Sequence, residues 1–248
     1  MDNGAKRKMI GYGVAAMLGA GAMGLAGGWA SVQFGLAGEA TGAAVRSYIL
    51  EHPEILPEAM ERLEAREAAS RLAPMADAVR APFPGAVLGN PRGSVVLVEF
   101  SDYACGYCRH SVAEVEALIA TNPDLKVVIR EYPILSEQSA AAARMALAAA
   151  EQGRFAAFHK AMFAAGRPST TTIEAAARKA GLDLERARKF AASAAVAREL
   201  QSNHALASQL GFNGTPSWVA GDQAFSGAVP GDVLARALAR PADPAKGV

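Results

Sequence analysis

Val95-Val96-Leu97-Val98-Glu99-Phe100-Ser101-Asp102-Tyr103-Ala104-Cys105-Gly106-Tyr107-Cys108 is the stretch on which the fold turns. It opens with an almost unbroken apolar run, rich in β-branched side chains, after a turn at Asn90-Pro91-Arg92-Gly93. That pattern predicts a strand buried on both faces. Ser101 to Ala104 read as a loop. From Cys105 the spacing becomes helical, with Val112, Val115, Leu118 and Ile119 on one face. Cys105 and Cys108 therefore stand where a buried strand delivers the chain to a helix N-terminus.

That placement has chemical consequences. The first turn of a helix carries unpaired N–H groups and the positive end of the dipole, and both stabilise a thiolate. Cys105 is expected to have a lowered pKa and to act as nucleophile. Cys108, one turn inward, is expected to resolve the mixed disulfide. These are the only two cysteines in 248 residues, which excludes a framework of structural disulfides. A bridge between them closes too short a loop to constrain the unfolded chain. A structural zinc site needs four ligands, and only His110 is near in sequence. His52, His159 and His204 lack metal-ligand spacing, so no metal and no cofactor is expected. His110 either adds positive charge near the thiolate or sits on an exposed helix surface.

Working outward, Gly85 to Leu88 suggest a short strand and Lys126 to Arg130 a second buried one. From Tyr132 to Thr215 the pattern is nearly all helical: Ala140–Glu151, Phe155–Ala165, Ile173–Ala180, Leu184–Ala191 and Ala194–Leu210. Phe155, Phe158, Met162 and Phe163 share one helix face and are assigned to the core. Strands Ser217–Ala220 and Gln223–Ser226, joined by a turn at Gly221-Asp222, and a helix Gly231–Ala239 complete an α/β domain. The tail at 241–248 is expected to fray.

Upstream, 39–82 reads as a helical connector. Glu58 and Arg62, and Glu67 and Arg71, are spaced i,i+4. Leu56, Met60 and Leu63 begin an apolar stripe that fades by Glu67. A spacer and an oligomerisation stalk both fit, so the homo-oligomer expectation rests on 40–80. At the N-terminus, Lys6, Arg7 and Lys8 precede an uncharged stretch from Met9 to Gly38. A signal peptide has this order with an apolar region of about 7–15 residues, whereas a spanning helix needs roughly 20. A signal cleaved after Ala30 and an uncleaved membrane anchor within 1–38 are both open, and either exports the rest of the chain. Gly19-Ala20-Gly21-Ala22-Met23-Gly24 spells a dinucleotide fingerprint, but without a preceding strand it is rejected. Charge is balanced at +1, with 25 basic and 24 acidic residues and no basic stripe, so no nucleic-acid partner is expected.

The segment Glu99 to Cys108 resembles the active-site segment of the DsbA-like thioredoxin superfamily. Gly214-Thr215-Pro216-Ser217-Trp218-Val219 resembles its cis-proline segment, and Arg130-Glu131-Tyr132-Pro133-Ile134-Leu135 the strand end before its helical insertion. The resemblance covers Phe83 to Ala239. It implies a thioredoxin-like domain over 83–240 with a helical insertion at about 136–211. It also implies a thiol–disulfide oxidoreductase acting on exported cysteine-containing proteins, with a membrane redox partner. Gly106, Tyr107, Thr215 and Pro216 would contact substrate, Pro216 through a cis bond that brings the Thr215 backbone beside Cys105. Glu99 would be the buried acid beneath the disulfide, with a raised pKa suited to proton exchange with Cys108. Cys-Gly-Tyr-Cys with Thr before the proline is more similar to the disulfide isomerases than to the strong oxidant DsbA. Tyr48 to Leu56 resembles the N-terminal extension of the ScsC-like proteins, in some of which that region mediates oligomerisation. Isomerase or reductase is the favoured expectation, disulfide-donating oxidase the alternative. A membrane-tethered client- or metal-binding protein is the alternative of another class.

Overall fold

A computed structural model describes residues 36–239. The signal or anchor expectation lies outside the described residues except for Leu36 to Gly38, which open the first helix, and so does the tail. Among the described residues no helix is long and apolar enough to cross a membrane. The chain divides into two units, one up to Arg62 and one from Leu63 onward.

The connector is helical, as its spacing predicts, but interrupted. Helix α1 (Leu36–Glu51) ends at His52-Pro53, because the residue before a proline is pushed out of helical geometry. Helix α2 (Ile55–Leu72) holds Pro57 in its first turn, where a missing N–H costs nothing. Arg62 pairs with Glu58 at 2.6 Å and Arg71 with Glu67 at 3.8 Å. Pro74 then sits in a 3-10 turn, Ala73–Met75, before the short helix α3 (Ala76–Arg80).

Five strands form one sheet in the order β1-β3-β2-β4-β5: β1 (Val87–Gly89), β2 (Val95–Ser101), β3 (Leu125–Glu131), β4 (Ser217–Ala220) and β5 (Gln223–Ser226). The first strand lies slightly later than expected, because its pairing with β3 is Val87↔Val128 to Gly89↔Lys126. The central pair β2–β3 is parallel, from Val95↔Leu125 to Ser101↔Glu131, and helix α4 (Gly106–Thr121) is the crossover that a parallel pair requires. The other pairings are antiparallel.

Period-2 alternation along β2 sorts its side chains onto two cores. Leu97 packs with Val127, Ile129 and Trp218 against α4 and the helical insertion. Val98 and Phe100 pack with Val128 and Val219 against Leu72, Val79, Leu210 and Phe212. Glu99 follows the Leu97 parity, which points it beneath α4.

The insertion comprises α5 (Glu137–Glu151), α6 (Phe155–Ala164), α7 (Thr170–Lys179), α8 (Leu184–Ala191) and α9 (Ala194–Leu210); α10 (Gly231–Ala239) closes the fold. Phe155, Phe158, Met162 and Phe163 are all buried. Helices α5 and α7 each begin three residues earlier than expected, because the hydroxyls of Ser136 and Ser169 cap them. Arg130, which reads in sequence as an ordinary strand end, is a buried clamp. Its guanidinium meets Glu199 at 2.9 Å and Asn203 at 3.0 Å, and donates to the carbonyls of Ala78, Val79 and Ala81 at the end of α3.

Candidate active site

Cys105 is the N-cap of α4 rather than its first helical residue. Its backbone is extended and its sulfur accepts from the Cys108 N–H at 3.4 Å. The loop that places it is fastened by Asp102, which the sequence shows only as a loop residue. One Asp102 oxygen accepts from the Ala104 N–H at 2.8 Å; the other accepts from the N–H groups of Ile134 and Leu135 at 2.9 and 3.0 Å. The Asp102 carbonyl accepts from the Cys105 N–H. A carboxylate with an N–H two residues on is a readable turn signal; its grip on residues 134 and 135 is not.

The Thr215–Pro216 bond is cis. The Cys105 thiol donates to the Thr215 carbonyl oxygen at 3.2 Å, so the two segments meet across 110 positions of sequence. Thr215 Oγ1 is buried with no hydrogen-bond partner, and Thr215 is among the groups that lower the Cys105 pKa. Gly106 faces open space, and Tyr107 is exposed at 65%. Leu135, on the segment that Asp102 holds, is also exposed.

Both cysteines are buried free thiols whose acidities are driven apart. Cys105 is lowered to about 5, first by its hydrogen bond with the Cys108 thiol, then by the Thr215 hydroxyl and the N–H groups of Cys108 and Tyr107, with burial opposing. Cys108 is pushed up, first by desolvation, then by its bond to Cys105 and the nearby Glu99 charge. A lowered thiol at the N-cap and a raised one a turn inward leave the two sulfurs chemically unequal.

Glu99 is 2% exposed. Its Oε1 lies 3.0 Å from the Ser111 hydroxyl, which also lies 2.8 Å from the Cys108 carbonyl oxygen. Burial raises the Glu99 pKa to about 7, against the hydroxyls of Ser111 and Ser101 and with the charge of Cys105 adding to the rise. Ser111 escaped the sequence reading, although three residues from Cys108 on a helix is legible spacing.

A second polar cluster lies deeper. The Tyr103 hydroxyl donates to Glu131 at 3.0 Å and lies 3.1 Å from His159 Nδ1. Burial holds Glu131 well above the ordinary carboxyl range and depresses His159 to about 4. His159, which has no role in the sequence reading, is thus part of the ground beneath the site. The position of His110 is exposed. Among the described residues no group of three or more His, Cys, Asp or Glu side chains could hold a metal.

Residues 96–239 match the DSBA-like thioredoxin domain, and residues 39–70 match the N-terminal domain of the copper resistance protein ScsC. No curated protein sequence matches the chain. A thioredoxin-like oxidoreductase from Silicibacter pomeroyi is 44% identical with a TM-score of 0.59, over 61% of this chain and 88% of that one. The thiol-disulfide exchange protein alpha-DsbA2 from Wolbachia pipientis is 27% identical with a TM-score of 0.62, over 69% of this chain and 94% of that one. A periplasmic thioredoxin-like protein from Salmonella enterica serovar Typhimurium is 28% identical with a TM-score of 0.57, over 66% and 93%. With a strand, an N-cap cysteine and a helical insertion arranged as described, the chain belongs to the DSBA-like thioredoxin family of thiol–disulfide oxidoreductases.

Proposed function

We propose that this protein is an exported disulfide isomerase or reductase working through Cys105 and Cys108. The observation that carries the reading is the Cys105 sulfur held at the N-cap of α4 and against the Thr215 carbonyl. The Cys105 thiolate attacks a substrate disulfide; one substrate sulfur leaves as thiolate and a mixed disulfide forms. If a second substrate thiolate then attacks, Cys105 is released and the substrate is reshuffled with no net redox change. If Cys108 attacks first, it gives its proton to Glu99, the Cys105–Cys108 bond forms and the substrate leaves reduced. Thr215 and Pro216 offer backbone to an extended substrate segment, which needs no particular sequence. Tyr107 and Gly106 form the open side of the same surface.

Export is supported by the charged-then-apolar N-terminus, read as signal or membrane anchor, and by the periplasmic Salmonella relative. Val45, Tyr48, Leu56, Met60 and Leu63 are exposed on the connector, which supports a homo-oligomer presenting several sites to one substrate. The oxidase reading also has an observation behind it. Stabilising the Cys105 thiolate stabilises the reduced protein and so makes the disulfide more oxidising.

The test is reactivation of a scrambled-disulfide model protein in a redox buffer. Efficient reshuffling, lost in Cys105→Ser, is the expected result. Rapid oxidation of a reduced substrate without reshuffling would make the protein a disulfide donor. Full function in Cys105→Ser would sink both and favour a client-binding role.

A further inference from the structure

The β2–β3 ladder stops just short of the cysteine loop. Its last pair is Ser101↔Glu131, and the Tyr132 N–H donates to the Ser101 carbonyl at 2.8 Å. The next residue, Pro133, has no N–H with which to continue. Beyond it, the N–H groups of Ile134 and Leu135 both donate to one oxygen of Asp102, at 2.9 and 3.0 Å. The other oxygen accepts from the Ala104 N–H at 2.8 Å, and the Asp102 carbonyl from the Cys105 N–H at 3.0 Å. Asp102 is 1% exposed, and a buried carboxylate met by three N–H groups is held by charge-assisted bonds, stronger than neutral ones. Where proline ends the ladder, this side chain takes over and joins the redox loop to the chain that leads into Ser136, the cap of α5.

We propose that Asp102 is a positioning residue for the nucleophile: by tying the loop to Ile134 and Leu135 it keeps the Cys105 sulfur at the N-cap of α4 and beside the Thr215 carbonyl. The proposal rests on the reading of Cys105 as the attacking sulfur. The titratable groups that act on that sulfur are Cys108 on α4 and Glu99 on β2, with Thr215 and the N–H groups of Tyr107 and Cys108 completing its surroundings. The hydrogen bonds among these weaken steeply with distance and angle, so a loop free to shift loses them. Asp102 also carries a charge, which Glu131 feels, and the two roles differ in sign. Removing a nearby negative charge favours a thiolate and lowers the thiol pKa. Releasing the strut takes the sulfur off its cap and raises it. A residue that only supports the fold moves stability and neither quantity at the sulfur. The carboxylate is needed rather than an amide, because asparagine has one acceptor oxygen and turns its NH2 group on an N–H in either orientation.

The test titrates the reduced full chain by its ultraviolet thiolate absorbance and by the pH dependence of its attack on Ellman's reagent. Asp102→Ala is expected to raise the Cys105 pKa by about one unit and Asp102→Asn by about half as much. The equilibrium with glutathione should move about tenfold toward the protein disulfide in Asp102→Ala, because a less stable thiolate makes the reduced protein less stable. Cys105→Ser assigns the titration: if the acid transition and the Ellman reaction both survive in it, the reading of Cys105 falls, and the proposal with it. Folded Asp102→Ala and Asp102→Asn proteins with a Cys105 pKa unchanged or lowered overturn the positioning role and leave the nucleophile where it is. Hydrogen exchange on the wild type decides the matter even where the variants do not fold. The amides of Ala104, Ile134 and Leu135 should exchange at least about a hundredfold slower than open-loop amides, and exchange at the open-loop rate overturns the proposal.

Discussion

Helices α2 and α6 carry the same kind of pattern and meet opposite fates. In α2, Leu56, Met60 and Leu63 recur at helical spacing and remain 51%, 61% and 50% exposed. In α6, Phe155, Phe158, Met162 and Phe163 recur at the same spacing and are buried, with Phe158 and Phe163 packed around the Tyr103 ring. Spacing defines a face; it does not say what covers it. The covered face packs beneath the cysteines' segment through Tyr103 and His159, while the uncovered face is open to solvent.

The comparison predicts unequal costs. Phe158→Ala should open a cavity under Tyr103 and lose about 4 kcal/mol of stability, read from a urea midpoint; a loss under about 1 kcal/mol would mean that α6 is not a core helix. Arg130→Met removes the charge that Glu199 and three carbonyls share. It should cost about 3 kcal/mol and expose the α3 segment to early hydrogen exchange, while leaving Ellman kinetics near normal.

Glu99 contributes with a sign that can be worked out. Its folded pKa is raised, to about 7, above the ordinary carboxyl value. Between that ordinary value and 7 the native state holds the extra proton, so stability falls as pH rises through this window. Glu99→Gln should flatten that fall and leave the reduced protein about 2 kcal/mol more stable than wild type at pH 8. An unchanged pH–stability curve would place the carboxyl in water. The smallest folding effect belongs to α2: Leu56→Glu with Met60→Glu should change the stability of the catalytic domain by less than about 0.5 kcal/mol. Sedimentation should nonetheless show a smaller assembly than wild type. An unchanged sedimentation coefficient would reduce the connector to a spacer.

Much of the site was legible because its chemistry is local. The buried run from Val95 to Phe100, the change of period at Cys105 and the two-residue spacing of the cysteines are properties of one segment. The expectation for Glu99 came from the resemblance; in the fold it shares the parity of Leu97 on β2 and is buried. Helix starts were missed at Ser136 and Ser169 because the apolar pattern begins a turn after the cap, although Ser169 with Thr172 forms a readable capping box. Asp102 and Arg130 were missed for a different reason. Their partners, Ile134 and Leu135 in one case and Glu199, Asn203 and the end of α3 in the other, are dozens of residues away.

What the sequence by itself determined, from period, turn chemistry and spacing, is the succession of strands and helices and the placing of Cys105 and Cys108 where a buried strand meets a helix; the thioredoxin-like fold and the role of Glu99 were what the resemblance implied. The tertiary structure alone decided how these groups act on one another. It set the Thr215 carbonyl 3.2 Å from Cys105 and the Tyr103 hydroxyl between Glu131 and His159. The reason is physical: desolvation and hydrogen bonding depend on what lies within a few ångströms in space, and a linear pattern states only which side of an element each residue occupies.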